Sequence, residues 1–431
     1  MIRTFLSLLL FVIALRPLDA QDLAARRAWL AANAAPLRSL DAADTNFSDL
    51  APVGRAIGNR RIVMLGEQTH GDGATFQAKV RLIRYLHEQK GFDLLVFESG
   101  FYDCHRTWHD AQRGLSLGDS ASGCMFELWW NSAQVHPLLR YLDAQRTGQR
   151  PLELAGMDFQ PSGTRAAFQL DDFEAFARAQ RDTVGLEPEL ARLRATIGLA
   201  PPQLKTLPDS AIGAMTQSIG RLTSRTWRDV PSQGSLGVAA FWRQALGSAG
   251  GLVRFMHPLL NGTQNPEVFN RRDSVMASNL AWLVRQSPTR KVIVWGATSH
   301  LVRNRTGIQN DPAPGMIPMG HHISEAFPGE VYGIGFLAAE GEMGMARRGT
   351  SVPRAPVAAA DSASLDGLWR DSGQSLGFLD LRAIPSGGEW LSAPLSARPL
   401  GYLAMTTTWP RHLDAFVFTR TMTPSTPRLT Q

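Results

Sequence analysis

Short apolar runs, each broken off by glycine or a charged side chain, recur along the chain. Ile62-Val-Met-Leu65 stops at Gly66, and Asp93-Leu-Leu-Val-Phe97 stops at Glu98. Leu152-Glu-Leu-Ala-Gly-Met157 stops at Asp158, and Lys291-Val-Ile-Val-Trp295 stops at Gly296. Runs this short and this continuous predict strands buried on both faces, as in a parallel sheet covered by helices. After the first run the period changes. Phe76, Val80 and Ile83 recur at helical spacing between Ala74 and Gln89, and Gly91 ends the pattern. A strand, a glycine-rich turn and a helix make the βα unit of an open parallel sheet. Further strands are predicted over 331–337, 376–383 and 415–419, and helices over 22–35 and 124–146. The predicted fold class is α/β, a mostly parallel sheet flanked by helices.

Between 165 and 287 the strand pattern disappears. Segments 166–181, 211–225 and 268–286 are helical in period, so this stretch is expected to be a helical insertion capping the carboxyl edge of the strands. The α/β domain is then built in two parts, 21–164 and 288–431. The Pro- and Ala-rich piece 352–364 is expected to be a surface loop.

The first twenty residues stand apart. Arg3 gives a basic start, Phe5 to Leu15 an apolar run, and Leu18-Asp19-Ala20 a small-residue exit. That is the pattern of a signal peptide cleaved after Ala20, and it predicts a periplasmic or secreted protein starting at Gln21. No later stretch reaches the length of a bilayer span, so no stable membrane insertion is expected after cleavage. The formal charge of +6 is mild, and no basic run or aromatic-basic interleaving follows, which argues against nucleic acid as a partner. Cys104 and Cys124 are the two cysteines. In an oxidising compartment they are expected to form a disulfide.

Candidate chemistry collects at the ends of the apolar runs. The first delivers Glu67 and His70, the second Glu98, the third Asp158 and the fourth His300. Singly, each reads as a capping acid or a satisfied core histidine. Together they take positions that a parallel sheet gathers into one crevice, and a desolvated carboxylate needs a partner or a use. Histidine titrates near neutrality, so His70 or His300 can take a proton from water. A neighbouring carboxylate would fix the ring's tautomer. Lys79, about two turns into the first helix, reads either as a solvated helix lysine or as a partner for an acid or a developing oxyanion.

At these positions the sequence resembles the erythromycin esterase family. The matching pieces are Leu65-Gly-Glu-Gln-Thr-His-Gly71, Gly91-Phe-Asp-Leu-Leu-Val-Phe-Glu-Ser-Gly-Phe101 and Gly156-Met-Asp158. They continue with Arg272-Asp-Ser-Val-Met-Ala-Ser-Asn-Leu-Ala-Trp-Leu283, Trp295-Gly-Ala-Thr-Ser-His300 and Gly333-Ile-Gly-Phe336. They run in family order and span most of the chain. The resemblance implies ester hydrolysis, typified by opening of a macrolide lactone. It carries the family's functional positions onto Glu67, His70, Glu98 and His300, and its basic helix position onto Lys79. Two departures stand out. The family's Ala-His-Asn-x-His is Gly296-Ala-Thr-Ser-His300 here, so one of two histidines is missing, and the acid four residues after the first histidine is Ala74.

Gly373-Gln-Ser375-Leu-Gly377 matches a nucleophile elbow, but a helix-like stretch precedes it and an apolar strand follows, the reverse of what that motif requires. Ser375 is therefore read as a turn residue. His105 with His109, and His321 with His322, read as surface or loop histidines. The expectation is a hydrolase without a serine nucleophile, acting on a small-molecule ester or lactone. His70 would activate water, Glu67 and Glu98 would orient base and water, and His300 would be a second acid–base group or oxyanion donor. Lys79 and Asp158 are assigned to substrate binding. No cofactor is expected. Two alternatives stay open: metal-dependent hydrolysis with Glu67, His70 and His300 as ligands, and a binding protein that kept the crevice without turnover.

Overall fold

Strand order places the ends of the four apolar runs side by side. The computed structural model describes residues 20–181, 183–347 and 354–428; the expected signal sequence, residues 1–19, lies outside them. Among the described residues the strands are β1 (Ala35–Pro36), β2 (Ile62–Glu67), β3 (Leu94–Gly100), β4 (Glu153–Asp158), β5 (Val292–Ala297) and β6 (Val331–Met343). They continue with β7 (Ala355–Val357), β8 (Leu376–Asp380), β9 (Leu395–Ala397), β10 (Met405–Thr407) and β11 (Ala415–Met422). One sheet runs β1-β8-β11-β6-β2-β5-β3-β4, with β7 along β6, while β9 and β10 pair separately. From β11 through β6, β2, β5 and β3 to β4 every neighbour is parallel. β8, β1 and β7 add antiparallel edges.

Chain direction across the sheet reverses around β2 and β5. From β2 the chain moves outward to β3 and β4, returns to fill the gap as β5, then crosses to β6. A crevice past the carboxyl ends is expected at such a reversal.

The uninterrupted apolar runs are explained by burial on both faces. Val63, Leu65, Leu95, Phe97, Ile293 and Trp295 face the Gly73–Lys90 helix, with its Phe76, Val80 and Ile83. Their alternates Ile62, Met64, Leu94, Val96, Val292 and Val294 face the other way. There they pack with Trp242 and Leu246 of the Ala239–Leu260 helix and Met276 and Leu280 of the Pro266–Arg285 helix. Between β4 and β5 the described residues form only helices and turns. Among the described residues no helix is long and apolar enough to cross a membrane.

Some elements differ from their sequence expectation. The helix predicted over 124–146 is broken into Glu127–Trp130 and His136–Gln145. Ser132 in the gap bridges Pro427, and the Ala133 N–H donates to the carbonyl of Thr426, so the chain's last described segment takes hydrogen bonds that a helix would use. The expected loop at 352–364 contains β7, which pairs with the far end of β6. His105 and His109 are not on a loop but on the Phe101–Gln112 helix, where His105 stacks on Phe241 at 3.8 Å and His109 meets Ser235. His321 and His322 likewise lie on a helix, Met319–Ala326. Ser375 is an exposed residue entering β8, as expected of a turn. Cys104 and Cys124 form the expected disulfide, with Cα atoms 4.4 Å apart.

Candidate active site

Two carboxylate–histidine pairs stand at the carboxyl edge of β2, β5 and β3. The first is Glu67 with His70. Glu67 closes β2 fully buried, and its Oε1 lies 2.8 Å from Nδ1 of His70. A carboxylate accepts, so Nδ1 carries the proton and the lone pair is left on Nε2. The other oxygen, Oε2, takes Nζ of Lys79 at 2.5 Å, and the indole of Trp129 donates to Oε1 at 3.2 Å. Burial alone would raise the Glu67 carboxyl, but Lys79 and His70 hold it below the usual range. The His70 ring stands edge-on to Trp129, and its side chain keeps 31% of its surface exposed. It is the group of the pair that reaches solvent.

The turn that carries His70 is pinned from below. Asp72, buried, accepts from the N–H and hydroxyl of Thr69 and from the hydroxyl of Tyr402. Burial pushes its carboxyl up to about 6. Gly66 admits the neighbouring strand end closely: a Cβ there would come 2.6 Å from Oγ1 of Thr298. That hydroxyl donates to the carbonyl of Glu67 at 3.0 Å.

The second pair is Asp273 with His300. Nδ1 of His300 lies 2.8 Å from Oδ1 of Asp273, which also takes the N–H of Met319. Nε2 of His300 faces Arg272 Nη1 at 3.3 Å and Glu98 Oε1 at 3.4 Å. Arg272 ties the cluster together, donating to Glu98 at 2.9 Å and to Asp158 at 2.7 Å. Glu98 closes the set by accepting the Ala297 N–H at 2.9 Å. Burial opposes its charge, yet His300, Arg272 and His70 hold it down at about 2. Burial likewise opposes charge on both imidazoles; Glu67 and Glu98 raise His70, and Asp273 and Glu98 raise His300.

The two pairs share a boundary, the end of β5. Lys79 reaches the carbonyl of Gly296 from one side, and Glu98 takes the N–H of Ala297 from the other. Glu67, His70, Glu98, Asp158 and His300 therefore come together as their positions after buried strands suggest. Lys79 is completely buried behind Glu67, its ammonium 4.5 Å from the centre of the Trp295 ring. Asp158 is buried behind Arg272. Both are fully buried, and each supports another charged group: Lys79 holds the buried Glu67, and Asp158 holds Arg272. Ala297, where the family pattern has its other histidine, contributes backbone only. Among the described residues no three His, Cys, Asp or Glu side chains are grouped to hold a metal ion.

Arg272, Asp273 and Trp129 carry no role in the sequence reading. For the first two a signal existed. Val268, Arg272 and Met276 are spaced four apart, and Asp273 lies seven before Leu280, so both charges fall on the apolar stripe of a helix. A charge there needs a buried partner. Trp129, one of two adjacent tryptophans in a broken helix, had none.

The sequence model of the erythromycin esterase family matches residues 87–422. YbfO of Bacillus subtilis (strain 168), which carries the name of a hydrolase, is 24% identical over 424 residues, covering 92% of this chain and 91% of its own. The erythromycin esterase type II of Escherichia coli is 21% identical over 311 residues, covering 69% and 74%. A solved structure of an erythromycin esterase mutant, EreC, in its open conformation superposes with a TM-score of 0.65 at 18% identity, covering 90% of this chain and 97% of that one.

Proposed function

Because the chain belongs to the erythromycin esterase family, we propose that it is an exported hydrolase that opens an ester or lactone with water activated by His70. One observation carries the reading: Nδ1 of His70 is fixed on a buried carboxylate, which leaves Nε2 as the basic nitrogen of a ring that is partly open to solvent. Water adds its oxygen to the carbonyl carbon as its proton passes to that nitrogen. The oxyanion that forms faces Arg272 and His300, the cationic side of the cluster. When the intermediate collapses, the C–O bond to the alcohol breaks and the proton on His70 goes to the leaving oxygen. Glu98 orients the water and supports charge on both imidazoles. Glu67, with Lys79 and Trp129 behind it, keeps His70 in the required tautomer. No serine nucleophile enters the scheme.

The test is a panel of simple esters and lactones given to the mature protein with and without a chelator. Turnover that survives chelation and falls by ~10²–10⁴-fold in His70→Ala, with folding intact, is the expected result. Activity abolished by the chelator supports the metal-dependent alternative. A His70→Ala protein with full activity sinks the mechanism, and no turnover of any substrate favours a binding protein.

A further inference from the structure

We propose that the cavity past the ends of β3 and β4 is a substrate pocket of this same site, taking an uncharged apolar group about the size of a phenyl ring or hexyl chain. The inference rests on the hydrolytic reading above. The cavity holds about 200 Å³ and is bounded by Gly100 and Asp158 at the strand ends. Its roof is Ala245, Ala249 and Leu252 of the Ala239–Leu260 helix. Asp158 is the wall it shares with the catalytic cluster, since that carboxylate holds Arg272, and Arg272 reaches Glu98 and His300. Protein interiors are close-packed, and voids much larger than a water molecule are few. A void at the carboxyl edge of a parallel sheet, beside convergent polar groups, is where a ligand is expected.

The lining sets the chemistry of the occupant. It contains no lysine or arginine, whereas Asp103 and Asp158 are both present. Asp103 is itself pushed up to about 7 by burial, so an anionic group would add a further negative charge where charge is already disfavoured. Polar wall atoms are largely engaged. Gln169 donates to the carbonyl of Ala245, Ser248 accepts from Asn279, and Asp103 takes the N–H groups of Ser162 and Gly163. Most of the remaining surface is apolar, with Phe101, Phe159 and Ile197 among its members beside the amide of Gln160. A cavity of about 150 Å³ admits benzene, so this one admits a phenyl or hexyl group and excludes a whole macrolide ring.

The experiment compares kcat/KM for methyl acetate and methyl hexanoate, and for methyl and benzyl acetate, in the wild-type protein and in Ala249→Phe. The wild type should favour the larger member of at least one pair. Filling the cavity should then cut that larger-to-smaller ratio by at least about tenfold, the scale on which pocket contacts discriminate. A ratio unchanged in a folded Ala249→Phe protein overturns the pocket. Crystals of the wild type soaked in benzyl alcohol give an independent reading should the variant not fold. Benzyl alcohol in the cavity supports the proposal, and a cavity without it at saturating concentration overturns it. If the wild type turns over no ester at all, the hydrolytic reading fails, and the soak still decides the pocket.

Discussion

At the scale of single residues, the site depends on charges that hold one another in place. His70 is the clearest case, because burial lowers its affinity for a proton while Glu67 and Glu98 raise it, and the carboxylates prevail. A base must be neutral to accept a proton. The acid limb of kcat/KM should therefore lie above the ordinary histidine value of about 6.5, with activity rising as pH rises through it. Glu98→Gln removes one of the two charges that hold the value up, so the limb should move toward lower pH even as the rate falls. A pH profile of the residual activity checks this, and an unmoved limb would separate Glu98 from the titration. Glu67→Gln should do more damage. An amide can present its NH₂ to His70 or to Lys79, and Lys79 would keep a buried ammonium without its carboxylate, at a cost on the order of 3–5 kcal/mol. The expected readout is a large fall in unfolding free energy together with loss of turnover. Unchanged stability would mean that Lys79 finds another partner.

At the scale of elements, the disulfide bears on the turn that brings in Trp129. It ties the Phe101–Gln112 helix, which starts directly after β3, to the turn just before Phe126. Its 20-residue separation corresponds to about 3 kcal/mol in the loop-closure account. Replacing both cysteines with serine should lower the unfolding free energy by about that much. Below the melting temperature turnover should stay within about threefold, because Lys79 and His70 still hold Glu67 without help from this segment. Denaturant unfolding and a rate measurement on the same sample test both halves, and a rate lost along with stability would show that the Trp129 contact depends on the bond. The sequence makes this level partly legible. β2, β4 and β5 lie within a residue or two of their predicted limits because continuous apolar runs bounded by glycine or charge leave little choice of register. β3 and β6 run past their predicted ends, where pairing with β4 and β11 outweighs local composition. The broken helix after Cys124 was not legible, because its break is made by a segment some 290 residues away.

For the whole molecule, the chain reads as an α/β protein because its strands announce themselves, while the site's supporting layer emerges only once helices are docked on them. Glu67, His70, Glu98, Asp158 and His300 each lie at or just past the carboxyl end of a strand, so topology alone collects them. Arg272 and Asp273 arrive on a helix from the other side of the sheet, and no local pattern gives that docking. The same scale decides how the amino end is treated. The Ala20–Asn33 helix is held by residues well inside it: Arg27 pairs with Asp371, Trp29 donates to the carbonyl of Ser386 and packs edge-on to Trp390, and Leu30 is buried. Ala20 and Gln21, at its start, are exposed. Cleavage after Ala20 would thus remove none of the groups that anchor the helix. Export to an oxidising compartment is proposed from the apolar run Phe5 to Leu15 and the exit at Ala20, and the disulfide is compatible with it. In its own host the protein should be recovered outside the cytosol with Gln21 as its first residue, as read by intact mass and amino-terminal sequencing. A recombinant chain starting at Gln21 should melt at the same temperature as that natural product, whereas one starting after Asn33 should melt lower through loss of Trp29 and Leu30. Full-length protein retained in the cytosol with Met1 in place would overturn export without touching the chemistry at His70.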